Sequence, residues 1–265
     1  MILIYLCVGV YCFMLSAKAA IARDGLLEGE MTDRVVRRME AAGRWPPDVD
    51  VWHLAMPSAE THVDGTLLSE DEHERAARYR QPMDRLRFAV SRVVLRELLG
   101  GRLGVEPAAL RFTATKHGRP ELSDFAHLSF NVSHSGAHAL IAISDSRRVG
   151  IDIERVDPDL DWLELTELVC TTEEWNALIA QPAYLQRDSF FRLWTAKEAV
   201  MKAFGIGIAE GLRAISVNLA GNGIQCPVVA DKLLFGNAQP LQYHWLEDVS
   251  GYMGCVAYGS MRKPD

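Results

Sequence analysis

The segment Phe190-Phe-Arg-Leu-Trp-Thr-Ala-Lys-Glu-Ala-Val-Met-Lys-Ala-Phe204 constrains the fold more than any other, because it reads as a helix with charges set into its apolar stripe. At 3.6 residues per turn Phe190, Trp194, Met201 and Phe204 share one face, with Lys197 near its middle and Glu198 at its edge. Buried charge is costly unless it is paired, hydrogen-bonded or bound to a metal. Two readings therefore stand: a lysine stem snorkelling past the core to solvent, or an ion pair belonging to a site.

The remaining chain is large enough to build such a site. Its 265 residues are 49% apolar and 24% charged, which fits one large or two modest domains with a real core. The 35 acidic residues outnumber the 28 basic ones, a net charge of -7 that argues against a general nucleic-acid binder. Cys7, Cys12, Cys170, Cys226 and Cys255 are scattered, odd in number and lack a C-x-x-C pair, so neither a disulfide framework nor a zinc site is indicated and the chain reads as cytoplasmic. The apolar run Ile2 to Ala17 departs from that picture. It fits a signal sequence, a short membrane anchor or a start-site artefact, a misassigned start or a nonfunctional extension being preferred. Residues 1–48 are expected to lie outside the folded domain, ending at Trp45-Pro46-Pro47-Asp48.

From Val51 the pattern becomes that of a compact domain. A strand at Val51–Ala55 and a loop from Pro57 to Leu68 precede Ser69-Glu-Asp-Glu72, an N-cap with an acid three residues on that opens a helix to Arg78. A second helix is predicted from Met83 to Leu99, closed by Gly100-Gly101. Its Arg85, Arg87, Arg92 and Arg96 alternate with an apolar face and read first as solvated, although Arg75, Arg78 and Arg87 carry enough charge to hold a phosphate. Strands follow at Leu110–Ala114, at Phe130–Ser135 and at Ala139–Ser144, the last with Arg148–Glu154 as its hairpin partner. Helices dominate from Pro158 to Phe204. Strands at Ala214–Leu219, Gln225–Val229, Gln242–Leu246 and Gly254–Tyr258 complete the chain. The order strand, helices, strands occurs twice, so the expected fold is α+β with two pseudo-symmetric halves, each with helices packed on a small antiparallel sheet. The halves are placed at residues 49–148 and 149–260.

Three motifs carry chemistry. In Ile151-Asp-Ile-Glu154 the strand period puts both carboxylates on one face, about 7 Å apart. That is either a plain half-exposed strand or part of an oxygen-rich Mg²⁺ site, with Glu198 as a third ligand. Asn131-Val-Ser-His-Ser135 lacks the G-x-S-x-G frame of a serine hydrolase, and suits phosphate binding through hydroxyl and N–H donors or a polar turn. Lys116-His-Gly-Arg-Pro120 reads as a tight turn that leaves Arg119 free to reach a phosphate.

Taken in order, these blocks resemble an Sfp-type 4′-phosphopantetheinyl transferase over roughly residues 51–260. The resemblance rests on the arginine-rich helix pair at 75–96, His117-Gly-Arg-Pro120, Asn131-Val-Ser-His-Ser135, and Gly150-Ile-Asp-Ile-Glu154 followed by Trp194-Thr-Ala-Lys-Glu-Ala199. The last two blocks are similar to the family signature G-[IV]-D-[IVL]-E with W-x-x-K-E-A. The resemblance implies transfer of the phosphopantetheine arm of coenzyme A to a serine of an acyl or peptidyl carrier protein, releasing adenosine 3′,5′-bisphosphate. It further implies that Asp152, Glu154 and Glu198 hold Mg²⁺. By the same matching Arg75, Arg119, Ser133 and His134 contact the nucleotide phosphates, and Lys202 reaches a phosphate oxygen. Glu174 matches the family's proposed base, with Glu173 beside it as an alternative. Lys197 either assists it or orients the pyrophosphate. Glu72 stands where the family has a lysine, which predicts weaker phosphate binding there. A single chain carrying both halves is expected to act as a monomer. Another Mg²⁺-dependent phosphoryl transferase and a carrier-docking module without turnover are the alternative readings of the same residues.

Overall fold

The computed structural model describes residues 36–56, 65–207, 211–219, 228–229 and 241–260. The apolar run Ile2–Ala17, most of the expected loop from Pro57 and the start of the expected strand at Gln225 lie outside the described residues. The chain divides into two compact units, one containing Met56–Leu110 and the other Val36–Ala55 with the chain from Arg111 onward. Its architecture is α+β with antiparallel sheets, and each half of the sequence contributes helices and one main sheet.

The first unit is organised by Glu72. Helix α1 (Glu70–Ala77) opens with the predicted capping box: the Ser69 hydroxyl accepts from the Glu72 amide, and the Glu72 carboxylate accepts from the Ser69 amide at 2.9 Å. Helix α2 spans Pro82–Leu103, running through Gly100-Gly101 to stop at Gly104, which takes the left-handed conformation at φ 65°. The buried Glu72 carboxylate lies 3.3 Å from Arg92 and 2.8 Å from Arg96. Arg96 also donates to the carbonyls of Pro107 and Leu110. Two of the arginines read as a solvated face are therefore buried, and Glu72 is their counter-charge. Arg75 is half-buried, its guanidinium 5.4 Å from the centre of the Phe88 ring.

The second unit holds two sheets. Strands β1 (Val36–Arg38), β2 (Asp50–Ala55), β5 (Ser129–Ser135) and β6 (His138–Ser144) form one, in the order β1-β2-β6-β5. Strands β7 (Arg147–Arg155), β10 (Leu241–Leu246) and β11 (Tyr252–Ser260) form the other, in the order β10-β11-β7. Short ribbons β3–β4 (Phe112–Ala114, Pro120–Leu122) and β8–β9 (Ile215–Ser216, Val228–Val229) stand apart. Residues 36–48, expected outside the domain, belong to it. β1 pairs with β2 in register Val36 to Leu54, and Met39, Trp45 and Val49 are buried with Val51, Leu140, Ile151, Ile153 and Val256. Their apolar side chains complete a core that the adjoining prolines had concealed in the sequence.

β7 is not the hairpin partner of β6. It pairs antiparallel with β11, Asp152 opposite Cys255, and meets β5 through side chains instead of a backbone ladder. The Oγ of Ser129, the Oδ1 of Asn131 and the Oγ of Ser135 accept from the amides of Val149, Ile151 and Arg155 at 3.1, 2.9 and 3.1 Å. Alternate residues of a strand face one way, so this comb of polar side chains takes up three amides along one edge of β7 and fixes its register against β5.

Three helices complete this unit: α3 (Thr166–Val169), α4 (Thr172–Ile179) and α5 (Ala183–Phe204). Helix α5 packs on the three-stranded sheet and is buried on almost every side from Ser189 to Ala203. β7 is thus covered on both faces. Ile151 and Ile153 enter the inter-sheet core, while Asp152, expected on a solvent-facing side, is fully buried beneath α5.

Candidate active site

A missing side chain brings the carboxylates together. A Cβ on Gly150 would stand 2.1 Å from the Ala199 carbonyl oxygen and 2.4 Å from the Ala203 amide nitrogen, so glycine alone lets the α5 backbone lie against β7. Glu198, beside Ala199, then reaches Asp152 and Glu154. One carboxylate oxygen from each of the three lies within 4.8 Å of the others.

Each acid is held by a donor. Ser133 Oγ donates to Asp152 Oδ1 at 2.8 Å, Ser135 Oγ to Glu154 Oε2 at 2.9 Å, and Trp194 Nε1 to Glu198 Oε1 at 2.5 Å. Lys202, one turn after Glu198, places its ammonium 2.5 Å from Asp152 Oδ1, 3.1 Å from Ser133 Oγ and 3.4 Å from Glu198 Oε2. Asp152 Oδ2 is buried without a hydrogen-bond partner. Burial, and then the charges of Asp152 and Glu198, push the Glu154 pKa well above the carboxylate range. Burial and Asp152 likewise raise Glu198 to about 7. Burial works against the charge on Lys202, yet Asp152 and Glu198 outweigh it and raise its pKa. Three carboxylates thus face one ammonium, so the cluster favours uptake of a proton or of a further cation. Three carboxylates with one bare buried oxygen form a hard, oxygen-only donor set that fits Mg²⁺.

The helix charges that opened the question separate. Consecutive helical residues point about 100° apart, and Lys197 and Glu198 do not pair with each other. Lys197 is fully buried rather than snorkelling, its ammonium 2.5 Å from Glu174 Oε2 and 2.6 Å from the Val169 carbonyl. Burial lowers its pKa, opposed by Glu174. The Glu174 carboxylate also accepts from the Thr171 amide at 2.7 Å, closing the capping box of α4, and from the Val217 amide at 2.8 Å. Both its oxygens are thus engaged away from the triad.

Arg119 is also placed differently from the expectation. Its guanidinium donates to the carbonyls of Lys202 at 2.5 Å, Phe130 at 2.9 Å and Val149 at 3.1 Å, and to Ser129 Oγ at 3.0 Å. It straps the C-terminal turn of α5 to β5 and β7, because the last carbonyls of a helix lack intrahelical partners. A free guanidinium awaiting a phosphate is not what the structure contains. Strand alternation puts His134 on the opposite face of β5 from Ser133 and Ser135. Arg75 belongs to the other unit. The sequence reading missed Trp194 and Ser135 as partners of the acids. The signal for Ser135 was present in the polar residues at every second position, Ser129, Asn131, Ser133 and Ser135.

Sequence comparison assigns this geometry to a class. A profile of the 4′-phosphopantetheinyl transferase superfamily matches residues 148–252, and one of the 4′-phosphopantetheinyl transferase N-terminal region matches residues 43–146. The chain belongs to this superfamily. It is a 4′-phosphopantetheinyl transferase of the two-domain Sfp type. Among its relatives is the 4′-phosphopantetheinyl transferase HetI of Nostoc sp. (strain PCC 7120), 39% identical over 168 residues that span 62% of this chain and 71% of the relative. Another is 4′-phosphopantetheinyl transferase Sfp of Bacillus subtilis, 30% identical over 60% of this chain and 69% of the relative. The mouse L-aminoadipate-semialdehyde dehydrogenase-phosphopantetheinyl transferase is 26% identical over 70% of this chain and 60% of its own length. The activity is 4′-phosphopantetheinyl transfer to carrier proteins. Among the described residues no helix is long and apolar enough to cross a membrane.

Proposed function

We propose that this transfer is Mg²⁺-dependent, takes the arm from coenzyme A and is centred on Asp152, Glu154 and Glu198. The observation that carries the reading is the convergence of those three carboxylates within 4.8 Å, with Lys202 on their rim and Asp152 Oδ2 bare. In the reaction the carrier serine oxygen forms a bond to the phosphorus of the phosphopantetheine phosphate, and its hydroxyl proton passes to solvent. The bond from that phosphorus to the bridging oxygen breaks, and adenosine 3′,5′-bisphosphate leaves with the electron pair. Mg²⁺, held by the three carboxylates, would neutralise charge on the pyrophosphate oxygens. Lys202 is proposed to turn its ammonium to a phosphate oxygen, since it already faces the site and retains its proton. His134 and Arg75, through their N–H donors, are proposed phosphate contacts, whereas Ser133, matched by resemblance to such a contact, is proposed to hold Asp152 through its hydroxyl.

Glu174 and Lys197, matched by resemblance to catalytic positions, are proposed as a buried brace joining α4, α5 and Val217. The engagement of both Glu174 oxygens by Lys197, Thr171 and Val217 supports a brace over a base. Residues 49–148, with the strand and core side chains of residues 36–48 added, and residues 149–260 are proposed as the two functional halves, acting as a cytoplasmic monomer. Incubating the protein with coenzyme A, Mg²⁺ and a panel of apo acyl and peptidyl carrier proteins, then weighing the carriers by mass spectrometry, tests the reading. The expected gain is the mass of one phosphopantetheine arm. It should vanish with chelator and in Asp152→Asn. Transfer that persists in chelator overturns the metal assignment.

A further inference from the structure

We infer that Ser135 is a positioning residue for the metal site: it orients Glu154 so that a chosen oxygen of that carboxylate is presented to the cation. The inference rests on the metal reading above and adds a residue that the reading does not include. Two contacts fix the direction of the Ser135 hydroxyl. Its oxygen accepts from the Arg155 amide at 3.1 Å, a donor that cannot reverse, so its own hydrogen is left for Glu154 Oε2 at 2.9 Å. A hydroxyl polarised in this way is a directed donor to a carboxylate, and it holds one oxygen while leaving Oε1 to turn toward Asp152 and Glu198.

Ser133 shows the same logic two residues earlier on the same face of β5. Its oxygen faces the Lys202 ammonium at 3.1 Å, so its hydrogen goes to Asp152 Oδ1 at 2.8 Å, and Asp152 Oδ2 is the oxygen left bare. Lys202 already bonds Asp152 at 2.5 Å, so Asp152 has a second tether. Among the described residues Glu154 has no second tether of that kind, and Ser135 is its hydrogen-bonding donor. A longer side chain with one tether has the most freedom to lose, so removing Ser135 should be felt at the metal more than in the fold. Partners that orient metal ligands typically change metal affinity by about 10- to 100-fold when removed.

The test uses the full chain without coenzyme A and Mn²⁺ alone as the probe, titrated by calorimetry and by the electron paramagnetic resonance signal of free Mn²⁺. Wild type should bind one ion. Ser135→Ala should weaken binding about 10-fold, and Ser135→Thr, which keeps the hydroxyl, should restore it. In a Glu154→Gln background Ser135→Ala should have no further effect, a coupling that a purely structural role through Arg155 would not produce. If Ser135→Ala fails to fold, Ser135→Cys keeps the volume and gives up the strong donor, and carries the same expectation. Wild-type affinity in the folded serine variant, or an undiminished loss in the Glu154→Gln background, overturns the inference alone. Wild-type protein that binds Mn²⁺ no better than Asp152→Asn overturns the metal reading and the inference with it.

Discussion

Gly150→Ala is the sharpest probe of how the site is assembled. The new methyl carbon would lie 2.1 Å from Ala199 O, 2.4 Å from Ala203 N and 2.9 Å from Ala203 Cα. All three are backbone atoms of α5, so no side chain can rotate out of the way. Restoring ordinary contact distances requires α5 to retreat from β7 by roughly 1 Å. Overpacking of this kind costs about 1–3 kcal/mol and occasionally more, and the rigidity of the clashing atoms sets the expectation at about 3 kcal/mol. The retreat falls at Ala199 and Ala203, each next to Glu198 or Lys202, so both move away from Asp152 and Glu154. A misplacement of about 1 Å at a reacting centre can lower turnover by about 100-fold. Urea unfolding would read the stability and carrier mass the turnover. The reasoning predicts a lower midpoint together with a rate loss that saturating Mg²⁺ does not rescue. An alanine variant with the wild-type midpoint and rate would show that helix and strand are not held at this distance.

Three other perturbations separate structural from chemical roles. Arg119→Met strands the carbonyls of Lys202, Phe130 and Val149 and should lower stability by about 3 kcal/mol or more, whereas a phosphate-binding arginine would raise the KM for coenzyme A and leave the unfolding midpoint alone. Glu174→Gln leaves Lys197 buried without its counter-charge and should cost about 3–5 kcal/mol. As a brace it leaves the pH–rate profile unshifted, and loss of the acidic limb of that profile would make Glu174 the base after all. His53 stacks on His138, with ring nitrogens 2.9 Å apart and Arg37 donating to its Nδ1. Burial, then the charges of His138 and Arg37, lower its pKa from 6.5 to about 4. The unfolded chain therefore binds this proton below pH 6.5 and the folded one only below about 4, so stability present at neutral pH is lost as pH falls through that window, by up to about 3 kcal/mol. His53→Gln should flatten the slope in pH-dependent urea melts, and an unchanged slope would refute the assignment.

How legible these features were depended on whether they are local. The Ser69 capping box, the α5 stripe and the alternation of Asp152 and Glu154 are short-range patterns, and each formed where its spacing placed it. Long-range partners were not legible. Nothing near Arg119 in the chain announces that it meets Lys202, 83 residues away, and a turn containing Gly118 suggested an exposed arginine instead. The two-residue connection between β6 and β7 likewise suggested a hairpin, because the alternative acceptors for β7 are side chains of β5. Residues 36–48 looked like a tail because Pro46-Pro47 breaks regular structure, while burial of Trp45 and Met39 decides that they stay.

The two buried charge sets on α5 differ in completeness, and that difference is the functional argument. Lys197 faces one carboxylate, and Glu174 spends its remaining capacity on two amides, so the set is balanced and its hydrogen bonds are made. One residue along the same helix, Glu198 joins Asp152 and Glu154 against a single ammonium, with an oxygen of Asp152 left bare in the interior. A structural network gains nothing from such an imbalance, since replacing any one of the three acids with its amide would lower the repulsion that raises Glu154 and Glu198. The prediction that follows is a gain of function in stability: Glu154→Gln should raise the unfolding midpoint of chelated protein at pH 8 while abolishing transfer. A variant that loses stability under those conditions would mean that the triad is held together by its charges rather than in spite of them.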